Sequence, residues 1–216
     1  GTTTAAVSFT ISKASISPTV SMRGYTYGGT KSTPSISGNT GNGTVTYYYN
    51  TSNSNSGGAL WSNVTDATSL NAGTYYMYAT VGATTNYNGT TTPAVSFTIS
   101  KATLSAPTNV TVTTGGYVSW SSVTNANKYE ISMSASSGFV LATSCVNYLS
   151  SITESTGSRT VYVRAVNSDT TNYTTPSSNA SKAVTVYSVS LTKGTGISAV
   201  TGAGKYISGA TVTLGA

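Results

Sequence analysis

The phrase Thr92-Pro93-Ala94-Val95-Ser96-Phe97-Thr98-Ile99-Ser100-Lys101-Ala102 occurs a second time as Thr4-Ala5-Ala6-Val7-Ser8-Phe9-Thr10-Ile11-Ser12-Lys13-Ala14, with only Pro93 against Ala5 changed. In an extended chain Val95, Phe97 and Ile99 lie on one side and Ser96, Thr98 and Ser100 on the other. That period of two marks a strand with one buried face. Val7, Phe9 and Ile11 carry the same pattern, so both copies read as strands. The copies stand 88 positions apart, which fits the period of a modular array and predicts that residues 1–13 are the last strand of a preceding repeat, the chain being a piece of something longer. A strand without its own sheet must pair elsewhere, and Val7, Phe9 and Ile11 are the candidate strand-pairing residues.

The rest of the chain supports an all-β reading. Charged residues are only 6% of 216, against about a quarter in an ordinary soluble domain, so solubility rests on hydroxyls and amides. The 38% hydrophobic content, with 16 Tyr, is enough to close a core, which a polar low-complexity chain cannot do. The length accommodates two sandwich-sized domains of roughly 100 residues. The predicted organisation is residues 1–13 as the orphan strand, a module over 14–102, a second over 103–187, and an incomplete β-module over 188–216.

In the first module Ile16, Val20 and Met22 alternate around Pro18, a residue tolerated on edge strands. Gly41-Asn42-Gly43 carries the Asn-Gly pair favoured in tight hairpins, and Thr44 to Tyr49 follows as a strand. Leu60 and Trp61 are expected to cover an edge of the core. In Thr74-Tyr75-Tyr76-Met77-Tyr78-Ala79 the alternation puts Tyr75, Met77, Ala79 and Val81 on one side and Tyr76 and Tyr78 on the other. In the second module the candidate structural aromatics are Trp120 and Tyr129. Both modules contain Thr-Thr-Asn-Tyr, at 84–87 and 170–173, at the turn into the last strand.

These residues carry resemblances. Leu70 to Ala79 resembles the tyrosine corner of immunoglobulin-like sandwiches, which implies that the Tyr75 hydroxyl returns to upstream backbone and that Tyr75, Met77, Ala79 and Val81 face inward and Tyr76 and Tyr78 outward. With the closing Phe97-Thr98-Ile99-Ser100-Lys101-Ala102, the first module resembles the immunoglobulin-like repeats of large Gram-positive bacterial surface proteins. Pro107, Val110, Trp120, Tyr129, Ile131 and Val161 to Asn167 resemble a fibronectin type III domain, with Arg159 standing where that family places its corner tyrosine. Ser190 to Leu214 resembles the start of the small β-repeats related to those of listerial internalins. The implied fold is a tandem of immunoglobulin-like and fibronectin type III-like β-sandwiches. The implied place is extracellular, on the surface or wall of a bacterium.

Chemistry-bearing residues are scarce. There is no His, the commonest general base and a common metal ligand. Four carboxylates, Asp66, Glu130, Glu154 and Asp169, do not cluster in calcium-loop spacing, and Glu130 and Glu154 are the candidates for a pair across strands. No catalytic residue, metal site or cofactor is expected. The formal charge of +6 is spread thinly rather than concentrated as in nucleic-acid binders, so no nucleic-acid partner is expected, and no apolar run suits membrane insertion. Cys145 is alone, which precludes an internal disulfide, and alternation over 141–147 reads it as a small near-core residue. Related surface modules carry a Lys–Asn crosslink promoted by a buried acid; Lys13, Lys128 and Lys182, with Glu130 or Asp66, are the residues such a bond would use here.

The expected function is therefore a non-catalytic stalk, spacer or adhesive segment. One alternative is a module that binds a host or bacterial surface glycan or protein through exposed aromatics, with Tyr76, Tyr78, Tyr87 and Tyr173 as candidates. Another is a subunit of an extracellular filament, self-associating by strand exchange through residues 1–13.

Overall fold

The computed structural model describes residues 1–142 and 144–215, so Thr143, inside the alternating stretch 141–147, lies outside it. The described chain is all-β, with two single-turn 3-10 segments. It divides into two compact units, Gly1–Ala102 and Thr103–Ala216.

In the first unit β1 (Thr19–Ser21) pairs with β3 (Ser35–Ser37) as one small layer. The other layer runs β2-β8-β6-β4-β5, that is Tyr25–Thr26, Val95–Ser100, Gly73–Val81, Val45–Asn50 and Ala59–Leu60, with β7 (Thr90–Thr91) beside the end of β6. The pairings are antiparallel except β2 with β8, which is parallel. Alternation decides the core: Tyr75, Met77, Ala79 and Val81 of β6 and Phe97 and Ile99 of β8 are buried, while Ser96, Thr98 and Ser100 are exposed. Val20 of the other layer, Tyr25 and Trp61 complete the core. Trp61 sits edge-on to Phe97 and to Tyr49, at ring distances of 5.7 and 6.0 Å, as ring quadrupoles favour, whereas Leu60 beside it is exposed.

The Asn42 turn does not close a hairpin. Asn42 takes a positive φ of 52°, and the Asn39 side chain both donates to and accepts from the Gly43 backbone. The strands on either side, β3 and β4, belong to different layers, so this turn carries the chain across the core.

Residues 1–13 form no strand among the described residues, contrary to the alternation they carry. Val7, Phe9 and Ile11 are 89%, 84% and 86% exposed. The reason lies in the sheet: β6 already has β4 on one side and β8 on the other, so the position that this phrase occupies at 92–102 is filled.

Strand β9 (Ala102–Thr103) spans the division, and the second unit contains β10 (Thr108–Val112), β11 (Tyr117–Ser121), β12 (Lys128–Ser132), β13 (Val140–Ala142), β14 (Val146–Tyr148), β15 (Gly157–Val166), β16 (Tyr173–Thr174), β17 (Ala180–Val189) and β18 (Gly204–Ile207). A β10-β11-β14 sheet faces a β13-β12-β15-β17-β18 sheet. Between them lie Val118 and Trp120 from the first, Tyr129, Ile131, Val161, Val163, Ala165 and Val186 from the second, and Ile152 from a 3-10 turn. The predicted boundary at 187 is not where this unit ends. Strand β17 runs through it, β18 pairs antiparallel with the far half of β17, and Ile207 opposite Val186 is buried in the same core. An inward isoleucine on an added edge strand extends the sheet instead of opening a new module.

Candidate interaction surfaces

The residues that close each unit are held by polar contacts as well as packing. Tyr75 is buried, stacks on Phe97 at 5.7 Å and donates its hydroxyl to the Asn71 carbonyl at 3.0 Å, four residues upstream. Burial, and then the neighbouring Tyr49, raises its pKa. In the second unit Arg159 reaches back in comparable fashion, Nη2 donating to the Ser151 carbonyl at 3.1 Å, so a guanidinium stands where the resemblance implies a tyrosine. Trp120 lies edge-on to Tyr129 at 5.3 Å, and the Tyr129 hydroxyl accepts from the Val123 N–H at 2.8 Å. Burial raises the Tyr129 pKa, with the Val123 contact opposing it. Cys145 packs against this core.

One device escaped sequence reading and occurs in both units. Buried Thr92 accepts the Ala79 N–H on its Oγ1 at 3.0 Å while its own N–H donates to the Ala79 carbonyl at 2.9 Å. Buried Ser177 does the same to Ala165, at 2.9 and 2.8 Å. A hydroxyl side chain thus supplies the missing ladder acceptor at the end of the penultimate strand. Its sequence signal was a hydroxyl residue next to a proline, Thr92-Pro93 and Pro176-Ser177, shortly after each Thr-Thr-Asn-Tyr.

The candidate binding aromatics are not an open platform. Tyr78, expected outside, is 4% exposed. It does lie on the outer face, but it stacks on Tyr48 at 5.2 Å, and the Gly58 N–H donates to its hydroxyl at 2.9 Å. The polar loop 50–58, tied by the Asn50 amide to the Ser54 and Ser56 carbonyls, folds over that face. Tyr76 is half-buried. Tyr87 is also half-buried and lies so close on Gly41 that a Cβ there would come within 2.7 Å of its ring. Tyr173 packs against the core of the second unit. Among the solvent-facing aromatics, which also include Phe9 and Tyr187, Tyr117 and Tyr148 form a pair: they are 53% and 55% exposed and lie across β11 and β14 with rings 5.4 Å apart and exposed Val146 near them. The alternation that turns Val118 and Trp120 inward turns Tyr117 outward, so this pair was legible and was missed.

Three of the four carboxylates, Glu130, Asp66 and Asp169, serve the scaffold. Glu130 does not meet Glu154; it lies opposite Arg164 on β15, with contacts of 2.6 and 2.7 Å, and the Arg164 guanidinium lies 3.7 Å from the centre of the Phe139 ring. Glu130 and Arg164, with Lys128, Leu141 and Pro176, line an open groove of about 350 Å³ in which the single carboxylate offsets one of the two cations. Exposed Asp66 accepts from the Thr68 hydroxyl and N–H and from Ser69, and these bonds hold its pKa below the usual aspartate value. Asp169 accepts from the N–H groups of Thr171 and Asn172. Among the residues a crosslink would use, Lys128 and Lys182 are exposed and Lys13 donates to the Thr84 carbonyl at 2.7 Å. Among the described residues no group of three or more His, Cys, Asp or Glu could hold a metal ion, and no helix is long and apolar enough to cross a membrane.

Comparison of the chain with protein-family models, with curated proteins and with solved structures finds no match.

Proposed function

We propose that this chain is a non-catalytic structural segment, a stalk or spacer of a large exported bacterial surface protein, built from an immunoglobulin-like unit and a fibronectin type III-like unit. The observation that carries the reading is that each unit closes a core of its own and that polar side chains hold the closure: Glu130 on Arg164, Asp66 and Asp169 on turns, Thr92 and Ser177 on strand ends. The return of β14 beside β11 and of β15 beside β12 is a Greek-key order and supports the fibronectin type III-like reading of the second unit.

A spacer has to resist tension. Pulling one chain by its ends is expected to give two separate unfolding events, each releasing on the order of 300 Å for a unit of roughly 100 residues at about 3.4 Å each. A smooth extension without resisting events would refute the reading.

A second reading, adhesion to a glycan, is favoured by the solvent-facing Tyr117–Tyr148 pair, since tyrosine faces stack on sugar rings. Glycan-array binding that is lost in Tyr117→Ser and Tyr148→Ser would support it, and binding unchanged by both would reject this site.

A further inference from the structure

Residues 4–14 repeat the sequence of the segment that contains β8, yet lie outside any sheet with their apolar side chains in water. What that phrase requires can be read from its other copy. Strand β8 lies between β6 and β2, with Phe97 opposite Tyr75, Val95 opposite Met77 and Ile99 opposite both Gly73 and Tyr25. Its inward side chains meet Trp61 and Tyr75, and its backbone passes so close to Gly24 that a Cβ there would lie 2.4 Å from the Thr98 carbonyl oxygen. The slot is thus specific in three respects: an aromatic pocket at the middle position, aliphatic positions on either side, and a wall that tolerates only glycine. Val7, Phe9 and Ile11 present the same three side chains in the same order.

From this we infer that residues 4–13 are a donor strand, and that their partner is a second copy of this chain's first unit whose β8 position is open. The donor would run antiparallel to β6 and parallel to β2 of the acceptor, with Phe9 against Trp61 and Tyr75. The one sequence difference, Ala5 for Pro93, lies before the strand and leaves this register untouched. Next to the donor, Ala14 is fixed to its own unit by the Asn86 carbonyl and the Asn88 N–H, each at 2.9 Å, so the segment leaves from an anchored point. Because donor and slot are different surfaces of the chain, the contact is head-to-tail, and it is satisfied either by reciprocal exchange between two chains or by propagation along many. In the native chain β8 holds the slot, being joined to it covalently at high effective concentration.

The test weakens β8 without touching the donor. The 216-residue chain carrying Phe97→Ala is expected to sediment at two or more chain masses at concentrations where the native chain is the reference, with the amides of Val7 to Ile11 newly protected from hydrogen exchange. The double variant Phe9→Ala/Phe97→Ala is expected to lose both effects. A Phe97→Ala chain that stays at one chain mass with those amides unprotected overturns the inference, and so does assembly that persists in the double variant.

A second chain guards against simple loss of folding. Residues 14–91 are placed directly ahead of Thr4, so that the added copy of the unit has residues 4–14 as its last strand. An additional cooperative transition, lost on Phe9→Ala, is expected, whereas added residues that remain unfolded overturn the inference. Neither result bears on the two force-resisting events expected of a spacer.

Discussion

Replacing Phe97 by alanine and, separately, Phe9 by alanine places one substitution in two copies of one phrase. Phe97 is 4% exposed, stacked on Tyr75 and edge-on to Trp61, both at 5.7 Å. Truncating a buried phenylalanine removes its transfer free energy and leaves a cavity, a loss of about 3–5 kcal/mol. Phe9 is 84% exposed, and a surface truncation stays within about 0.5 kcal/mol. A unit of this size has a total stability of about 5–15 kcal/mol, so the first change removes a large fraction of it and lowers the midpoint of thermal unfolding by at least about 12 °C. The second leaves it in place. Urea unfolding followed by tryptophan fluorescence separates the units, because Trp61 belongs to the first core and Trp120 to the second. The reference is the Trp120 transition, expected unmoved by either change. At low concentration, where strand exchange does not contribute, a Phe9→Ala shift as large as that of Phe97→Ala would mean that both copies are packed alike. A Phe97→Ala loss below about 1 kcal/mol would mean that β8 does not close the core. Either outcome refutes the reasoning.

Three further expectations follow from the polar groups. Thr92→Val in the first unit and Ser177→Ala in the second each leave a buried backbone N–H without an acceptor and should cost about 1–3 kcal/mol in the unit that carries them, read as a shift in that unit's urea midpoint alone. Asp66 has a folded-state pKa below its unfolded value, so its contribution is present above the unfolded value and is lost as pH falls through the folded one; the first unit should lose stability in acid, and Asp66→Asn should flatten that limb. Tyr25, Tyr75 and Tyr129 have pKa values raised first by burial, so the neutral fold is fully stabilised below the ordinary tyrosine value and weakens as pH rises through the raised ones. Phenolate absorbance should show these three ionising late and together with unfolding, whereas early ionisation of all the tyrosines would contradict their burial.

How far the fold could be read from the chain follows from the range over which each determinant acts. Alternation is local: side-chain order separated Tyr75, Met77, Ala79 and Val81 from Tyr76 and Tyr78, and the tyrosine-corner resemblance turned the first set inward. It also assigned Tyr78 correctly to the outer face. Burial of that face came from the loop 50–58, whose closure depends on Asn50 meeting Ser54 and Ser56 and on Gly58 meeting the tyrosine hydroxyl, contacts that no periodicity encodes. Asn42 was legible as a turn residue, but the sheet that receives the next strand is a non-local choice, and a turn expected to close a hairpin crosses the core instead. The segment after Ser188 looked like a new module because its local pattern restarts; that Ile207 would settle opposite Val186 depends on a sheet edge being available, which is a property of the assembled unit. Residues 4–14 set the limit most sharply. Their sequence is that of a strand, and the pattern states which face would be buried, but a strand exists only where neighbours supply hydrogen-bond partners and a surface to cover that face. Both copies have the same propensity; only the copy at 92–102 has β6 and β2 beside it. Strand formation here is therefore a property of the slot as much as of the sequence that fills it.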